Sequence, residues 1–418
     1  MKVELLTDVS GNHSDVYLLI RLHADPAVDT TRNPVNLALV IDRSSSMRGP
    51  RLTQALLAAN ALVDRLGPRD RISVVTFDAG VEVVFGPATM NQDEKRKLRK
   101  ALADIRTGVG TNLAAGIRYG ADTLRTGFVR NAVSRVILLT DGQPSIGVTD
   151  PDRLAAMVEK QHARGVSFTT MGVGQGFDDE LLAELARRGK GGFYYLAAAA
   201  DIPAAFGREL SGVFAITAAQ TELKLIPSAA ISSVELIHRL PSRPLEDGLL
   251  VELGEIAAQA PRQVLFKLTR NDPGVGDRCG TLAVGFKRPD GSAGDGHVVG
   301  IELPAGANVD AAREVTLERL RLAVATAVDV AWARRASGNR DHALAAMDEI
   351  KEIVDDAHAK DQADRAALEE LLANIAEAEE AVAKSAHEQA SVRRSMRERS
   401  HSTLMGQSTI APLPKWEE

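Results

Sequence analysis

The chain has 418 residues, of which 44% are hydrophobic and 25% charged, and a formal net charge of −6. At ~150 residues per domain this is a globular protein with material for two or three cores. The acidic balance argues against a dedicated nucleic-acid binder, and an aromatic content of 4% argues against stacking platforms for single strands.

Residues 2–8 and 15–23 read as two short strands joined by a Gly11-Asn12-His13-Ser14 turn. From Asn36 to about Phe206 the pattern changes, and apolar strands alternate with helical stretches. The strands are 37–41, 71–77, 135–140, 166–173 and 192–196, with 81–85 as a partner for 71–77. The helices are 51–66, 93–105, 113–124, 152–164, 178–188 and 202–213. Leu37-Ala38-Leu39-Val40-Ile41 is a continuous apolar run, as a strand buried on both faces requires. Leu52, Leu56, Ala59 and Val63 fall at helical spacing. The alternation predicts a Rossmann-like α/β fold: a doubly wound, mainly parallel sheet over 36–214 with helices on both faces.

From 215 to 305 the helical pattern stops. Six short strands, separated by Pro, Gly and Asp turns, predict an antiparallel β-sandwich. The α/β domain is inserted in this sandwich or followed by it. Residues 1–35 have no partner in the α/β region, so their strands are expected to join the sandwich. Residues 308–395 predict three helices, on stripes led by Leu317, Leu344 and Leu368. Residues 396–418 read as a flexible Ser/Thr/Pro-rich tail. Its basic cluster Arg393-Arg394 to Arg399 lies beside Ser400, Ser402, Thr403, Ser408 and Thr409, a setting for phosphorylation. Its apolar residues Leu404, Met405, Ile410, Leu413 and Trp416 would suit partner docking.

Cys279 is the one cysteine, so neither an internal disulfide nor a thiolate zinc site is available. The first eight residues carry Glu4 and Asp8 and lack the apolar stretch of a signal peptide. No apolar run approaches the ~18 residues of a membrane span. The expectation is a cytoplasmic protein with no membrane span.

The chemistry-bearing residues cluster at predicted strand ends. Strand 37–41 runs into Asp42-Arg43-Ser44-Ser45-Ser46-Met47, strand 135–140 into Thr140-Asp141-Gly142, and the helix at 113 follows Gly108-Val109-Gly110-Thr111-Asn112. Ligands of open α/β sheets bind at the carboxyl ends of strands. Carboxylates and hydroxyls are hard oxygen donors, suited to Mg²⁺, Mn²⁺ or Ca²⁺. An ordinary reading of each piece alone is a strand–helix turn with Asp or Ser as helix cap.

Taken together, Asp-x-Ser-x-Ser, the lone Thr in a Gly-Thr loop and Thr-Asp-Gly resemble the von Willebrand factor A domain family and its metal-ion-dependent adhesion site. The resemblance covers roughly 36–206. It implies that Asp42, Ser44, Ser46, Thr111 and Asp141 hold one divalent cation, Mg²⁺ first, some of them through water. It also implies an open position filled by an Asp or Glu of a protein partner. Ser45 stands where the family often has Gly. Arg48-Gly49-Pro50 replaces the acids of the integrin-type neighbouring site, so one metal is expected rather than a cluster.

Other motifs weigh less. The nine histidines are scattered, without a His-x-x-x-His or Glu-x-x-His pair in a suitable context. Gly172-Val173-Gly174-Gln175-Gly176 resembles a phosphate loop but lacks its Lys, and reads better as a tight turn. No nucleophile elbow and no Walker A sequence occur. The sequence therefore predicts a non-enzymatic, metal-dependent protein-interaction scaffold, with no catalytic or organic-cofactor residues. The alternative is a non-ATPase adaptor of an AAA+ complex of the MoxR or chelatase kind. A metallohydrolase is a third reading, for which no general base is found.

Overall fold

A strand buried on both faces needs cover from both sides, and two segments of this chain supply such strands. The computed structural model describes residues 1–9, 14–25, 34–126, 132–258, 260–272, 277–288, 292–303, 308–336, 339–360, 362–383 and 390–407. The chain divides into two units, one of residues 29–216 and one of 1–28, 217–288 and 292–411.

The chain begins with β1 (Lys2–Val9) and β2 (Asp15–His23), an antiparallel pair of the second unit. The first unit then follows as β3 (Val35–Asp42), α1 (Pro50–Arg65), β4 (Arg71–Phe77), β5 (Val81–Thr89), α2 (Gln92–Ala103), α3 (Leu113–Thr126), β6 (Val133–Thr140), α4 (Pro151–His162), β7 (Ser167–Val173), α5 (Asp179–Arg188), β8 (Lys190–Leu196) and α6 (Ile202–Phe214). The strand order is β5-β4-β3-β6-β7-β8. Only β5 runs antiparallel, against β4. This is the doubly wound, mainly parallel sheet that the alternation predicts.

Every residue of β3 is buried. Burial of one such Leu or Ile is worth roughly 1.5–3 kcal/mol, and between buried Asn36 and Asp42 near its ends the run is wholly apolar. Helices start where side chains can satisfy their free N–H groups. Asn91 accepts from Glu94 N, Asp150 from Arg153 N and Asp178 from Leu181 N. α3 lies very close to the sheet. A Cβ at Gly120 would stand 2.5 Å from Cγ2 of Val40, so a larger residue would lift α3 and the loop that precedes it.

The second unit continues with β9 (Ile216–Pro227), β10 (Ile231–Leu236), β11 (Ser242–Leu245), β12 (Gly248–Ala257), β13 (Arg262–Arg270), β14 (Arg278–Lys287) and β15 (His297–Glu302). They form two antiparallel sheets, β1-β2-β13-β10 and β11-β12-β9-β14-β15. β2 pairs with β13, Leu18 opposite Phe266, so the first unit is an insertion in the chain between two parts of one sheet. β11 was not foreseen. Its four residues, Ser-Arg-Pro-Leu, are mostly exposed and too short to show an apolar alternation, and it exists through its tight hairpin with β12, Leu245 opposite Gly248.

Among the described residues the unit also has the helices α7 (Val309–Ala336), α8 (Arg340–Ala359), α9 (Arg365–Ala383) and α10 (Ala390–Leu404). Val16, Leu18, Ile20 and Leu22 of β2 face the sandwich core. Leu19 faces the other way, in a cluster with Leu265, Val315, Leu322, Ala325 and Leu404. α7 and the end of α10 thus cover the back of the β2–β13 pair. α10 corrects the expectation of a flexible tail from 396, and of three helices rather than four. The helix runs to Leu404, and Met396, Ser400, His401, Ser402 and Leu404 in it and Met405 just after it are buried. Its apolar stripe is thin, and polar bonds add to its docking: Arg399 donates to Asn374 Oδ1 at 2.6 Å and to Glu377 Oε2 at 2.7 Å. The rest of the expected tail, including Thr409, Ile410, Leu413 and Trp416, lies outside the described residues.

Among the described residues no helix is long and apolar enough to cross a membrane.

Candidate metal centre

The site forms where β3 and β6 end side by side. β3 delivers Asp42 as its last residue, and the chain then turns tightly through Ser44, Ser45 and Ser46 before α1. Ser44 N donates to Asp42 Oδ1 at 2.8 Å, and Met47 N to the Ser44 carbonyl at 3.0 Å. That winding brings the Ser44 and Ser46 hydroxyls within 3.0 Å of each other. Asp141 follows directly after β6, and Ser46 Oγ donates to its Oδ1 at 2.7 Å.

The Thr111 loop arrives from a different part of the sheet. Gly108 N donates to the Arg43 carbonyl, Ala79 N to the Val109 carbonyl and Asn112 N to the Asp78 carbonyl, each at 2.7 Å. Gly110 adopts φ +76, a conformation that favours glycine. Thr111 N donates to Ser145 Oγ at 3.0 Å, and Asn112 Oδ1 caps α3 through Ala115 N. The Thr111 and Ser46 hydroxyls converge over Gly142, where a Cβ would stand 3.7 and 3.8 Å from them. The structure therefore brings together all five residues named from the sequence.

Asp42, Ser44, Thr111 and Asp141 are buried, while Ser46 is exposed at the rim. Burial pushes the Asp42 carboxyl up to about 6; its bonds from Thr140 and Ser44 work against that rise, and the nearby Asp141 adds to it. A cation placed here would reverse the shift, because positive charge favours the carboxylate. Among the described residues no group of three or more His, Cys, Asp or Glu converges. The donor set is two carboxylates and three hydroxyls, all hard oxygens, which fits a Mg²⁺-type ion that retains water.

Two residues escaped the sequence reading. Thr140 Oγ1 donates to Asp42 Oδ2 at 2.5 Å. It stands in the Thr-Asp-Gly triplet, so adjacency to Asp141 was the available signal. Arg51 pairs with Asp141 through Nη1 and Oδ2. Its position in the first turn of α1 gave no signal, since an Arg there usually faces water. The glycine turn at 172–176 is a close-packing device rather than a phosphate cradle: a Cβ at Gly176 would fall 2.7 Å from the Asp141 carbonyl oxygen.

The von Willebrand factor type A domain family matches residues 36–207. The uncharacterized protein YfbK of Escherichia coli (strain K12) is 26% identical over 242 residues, 56% of this chain and 42% of YfbK. The uncharacterized protein sll0103 of Synechocystis sp. is 28% identical over 273 residues, 62% of this chain and 63% of that one. The chain thus spans less than two thirds of the length of these relatives. Among solved structures, von Willebrand factor type A from Catenulispora acidiphila superposes with a TM-score of 0.68 at 18% identity, over 86% of this chain and 87% of that one. The ArnB paralog VWA2 from Sulfolobus acidocaldarius gives 0.53 at 16% identity, over 96% and 98%. At such identities the likeness is one of fold. Fold and sequence comparison agree in that residues 36–207 match the von Willebrand factor type A domain family.

Proposed function

We propose that this chain is a metal-dependent protein-binding module. Asp42, Ser44, Ser46, Thr111 and Asp141 would hold a divalent cation, Mg²⁺ before Mn²⁺ or Ca²⁺, some of them through water. The observation that carries the reading is the convergence of two carboxylates and three hydroxyls, with Ser46 at the exposed rim. When bound, the cation would supply an electrophilic position for an Asp or Glu of a partner protein. The chain's own residues orient that position. Thr140 fixes the Asp42 carboxylate and Ser46 fixes Asp141. Two carboxylates do not satisfy an octahedral ion alone, which leaves it attractive to a further anion.

An AAA+ ATPase subunit that presents an acidic residue is one form such a partner can take. We read the chain as a binding protein rather than an enzyme, acting in the cytoplasm.

The test is a pull-down from native lysate in Mg²⁺ and in EDTA, with the wild type and Asp42→Ala. A partner retained only by the wild type in Mg²⁺ is expected. A partner held equally in all four conditions refutes metal-gated binding.

A further inference from the structure

Arg51 lies in the first turn of α1, and its guanidinium reaches into the centre described above. Nη1 donates to Asp141 Oδ2 and, at 3.1 Å, to the Ser46 carbonyl. The other Asp141 oxygen accepts the Ser46 hydroxyl. The Asp141 side chain is 0% exposed, whereas that of Arg51 keeps 36%. A buried carboxylate is thus neutralised by a cation that can leave toward solvent. Room for it comes from Gly174, at φ +72, where a Cβ would fall 2.8 Å from Arg51 Nη2. The glycine-rich turn that in sequence resembles a phosphate loop is shaped around the guanidinium.

We propose that Arg51 is a built-in counter-cation that competes with the divalent ion for Asp141 and so sets the affinity of the centre. The proposal rests on the metal-binding reading above. A guanidinium and a dication on one carboxylate repel each other, and in a partly buried site solvent screens that repulsion only in part. Ion binding therefore has to displace Arg51 from Oδ2 or bear the repulsion. Either route weakens binding relative to a chain with a neutral residue at 51. The displaced guanidinium stays at the exposed rim, since α1 anchors its backbone.

Mn²⁺ is the probe, titrated into the full chain by calorimetry and by electron paramagnetic resonance. The proteins are the wild type, Asp42→Ala, Arg51→Gln and Arg51→Lys. Arg51→Gln is expected to bind about tenfold tighter than the wild type, and Asp42→Ala to lose binding. Arg51→Lys, which keeps the charge but not the planar fork, should gain about threefold, and it covers the case in which Arg51→Gln does not fold. Unchanged or weaker binding by the Arg51 variants, with the Asp42→Ala loss intact, overturns the proposal and leaves the metal reading standing. Failure of both the wild type and the Arg51 variants to bind Mn²⁺ overturns both.

Discussion

The Thr140 hydroxyl donates to Asp42 Oδ2 at 2.5 Å, so the last residues of two neighbouring parallel strands are tied side chain to side chain. This bond orients the Asp42 carboxylate before any ligand arrives, and its partner Oδ1 is already held by Ser44 N. Preorganisation of this kind spares the ordering cost at the moment of binding.

Thr140→Val keeps the shape and removes the hydroxyl. Buried Asp42 then loses a donor, which should cost about 1–2 kcal/mol of stability. Mn²⁺ affinity should fall roughly tenfold, the equivalent of about 1.4 kcal/mol. Denaturant unfolding and calorimetric titration read the two effects; unchanged values in both would show that Thr140 does not hold Asp42 in solution.

Glu209 of α6 anchors that helix to the sheet. Its carboxylate faces Arg135 Nη1 and Thr169 Oγ1, each at 2.6 Å, and accepts from Tyr194 OH at 2.9 Å. Glu209→Ala removes the anion that the buried Arg135 faces and should cost about 3–5 kcal/mol. Glu209→Gln should cost less, since it keeps hydrogen-bonding capacity. Urea unfolding of both variants measures the difference.

His162 gives an acid-sensitive stability. Burial, then positive Lys190 and Arg135, hold its pKa down at about 4, against the opposing pull of Glu159. Unfolded, the imidazole titrates near ~6.5. Between these values the unfolded chain binds a proton that the folded chain does not, so stability falls as pH drops from about 6.5 to about 4. The loss is at most about 3.4 kcal/mol, reduced by solvent screening because the residue is only partly buried. Asp42, raised rather than lowered, acts with the opposite sign in metal-free buffer. The readout is therefore the difference between the wild type and His162→Gln across that pH range, and a flat difference contradicts the assignment.

Gly406 closes α10 onto the sandwich. Its φ is +63, its carbonyl accepts from Gln263 N at 3.0 Å, and a Cβ there would fall 2.0 Å from the Gln263 carbonyl oxygen. Gly406→Ala should undock the end of α10, at about 1–3 kcal/mol. Hydrogen exchange in residues 390–407 should rise, while exchange in residues 36–207 stays as in the wild type.

Local order by itself determined a great deal here. The apolar run Leu37–Ile41, the strand–helix alternation and the Asp-x-Ser-x-Ser turn each carry their meaning within a few residues, because periodicity and turn chemistry are local properties. From them came the doubly wound sheet, the family resemblance and the five converging residues. Tertiary structure alone decided the rest. Arg51 meets Asp141 across 90 positions of chain, and Thr140 meets Asp42 across 98. Such pairs are set by which strands lie side by side, which spacing along the chain does not encode. α10 was missed for a related reason. Among the described residues its buried apolar contacts are only Met396 and Leu404, with Met405 just after it, and they are interleaved with buried Arg394, Ser400, His401 and Ser402, polar residues that read as solvated until the partners that satisfy them are in place.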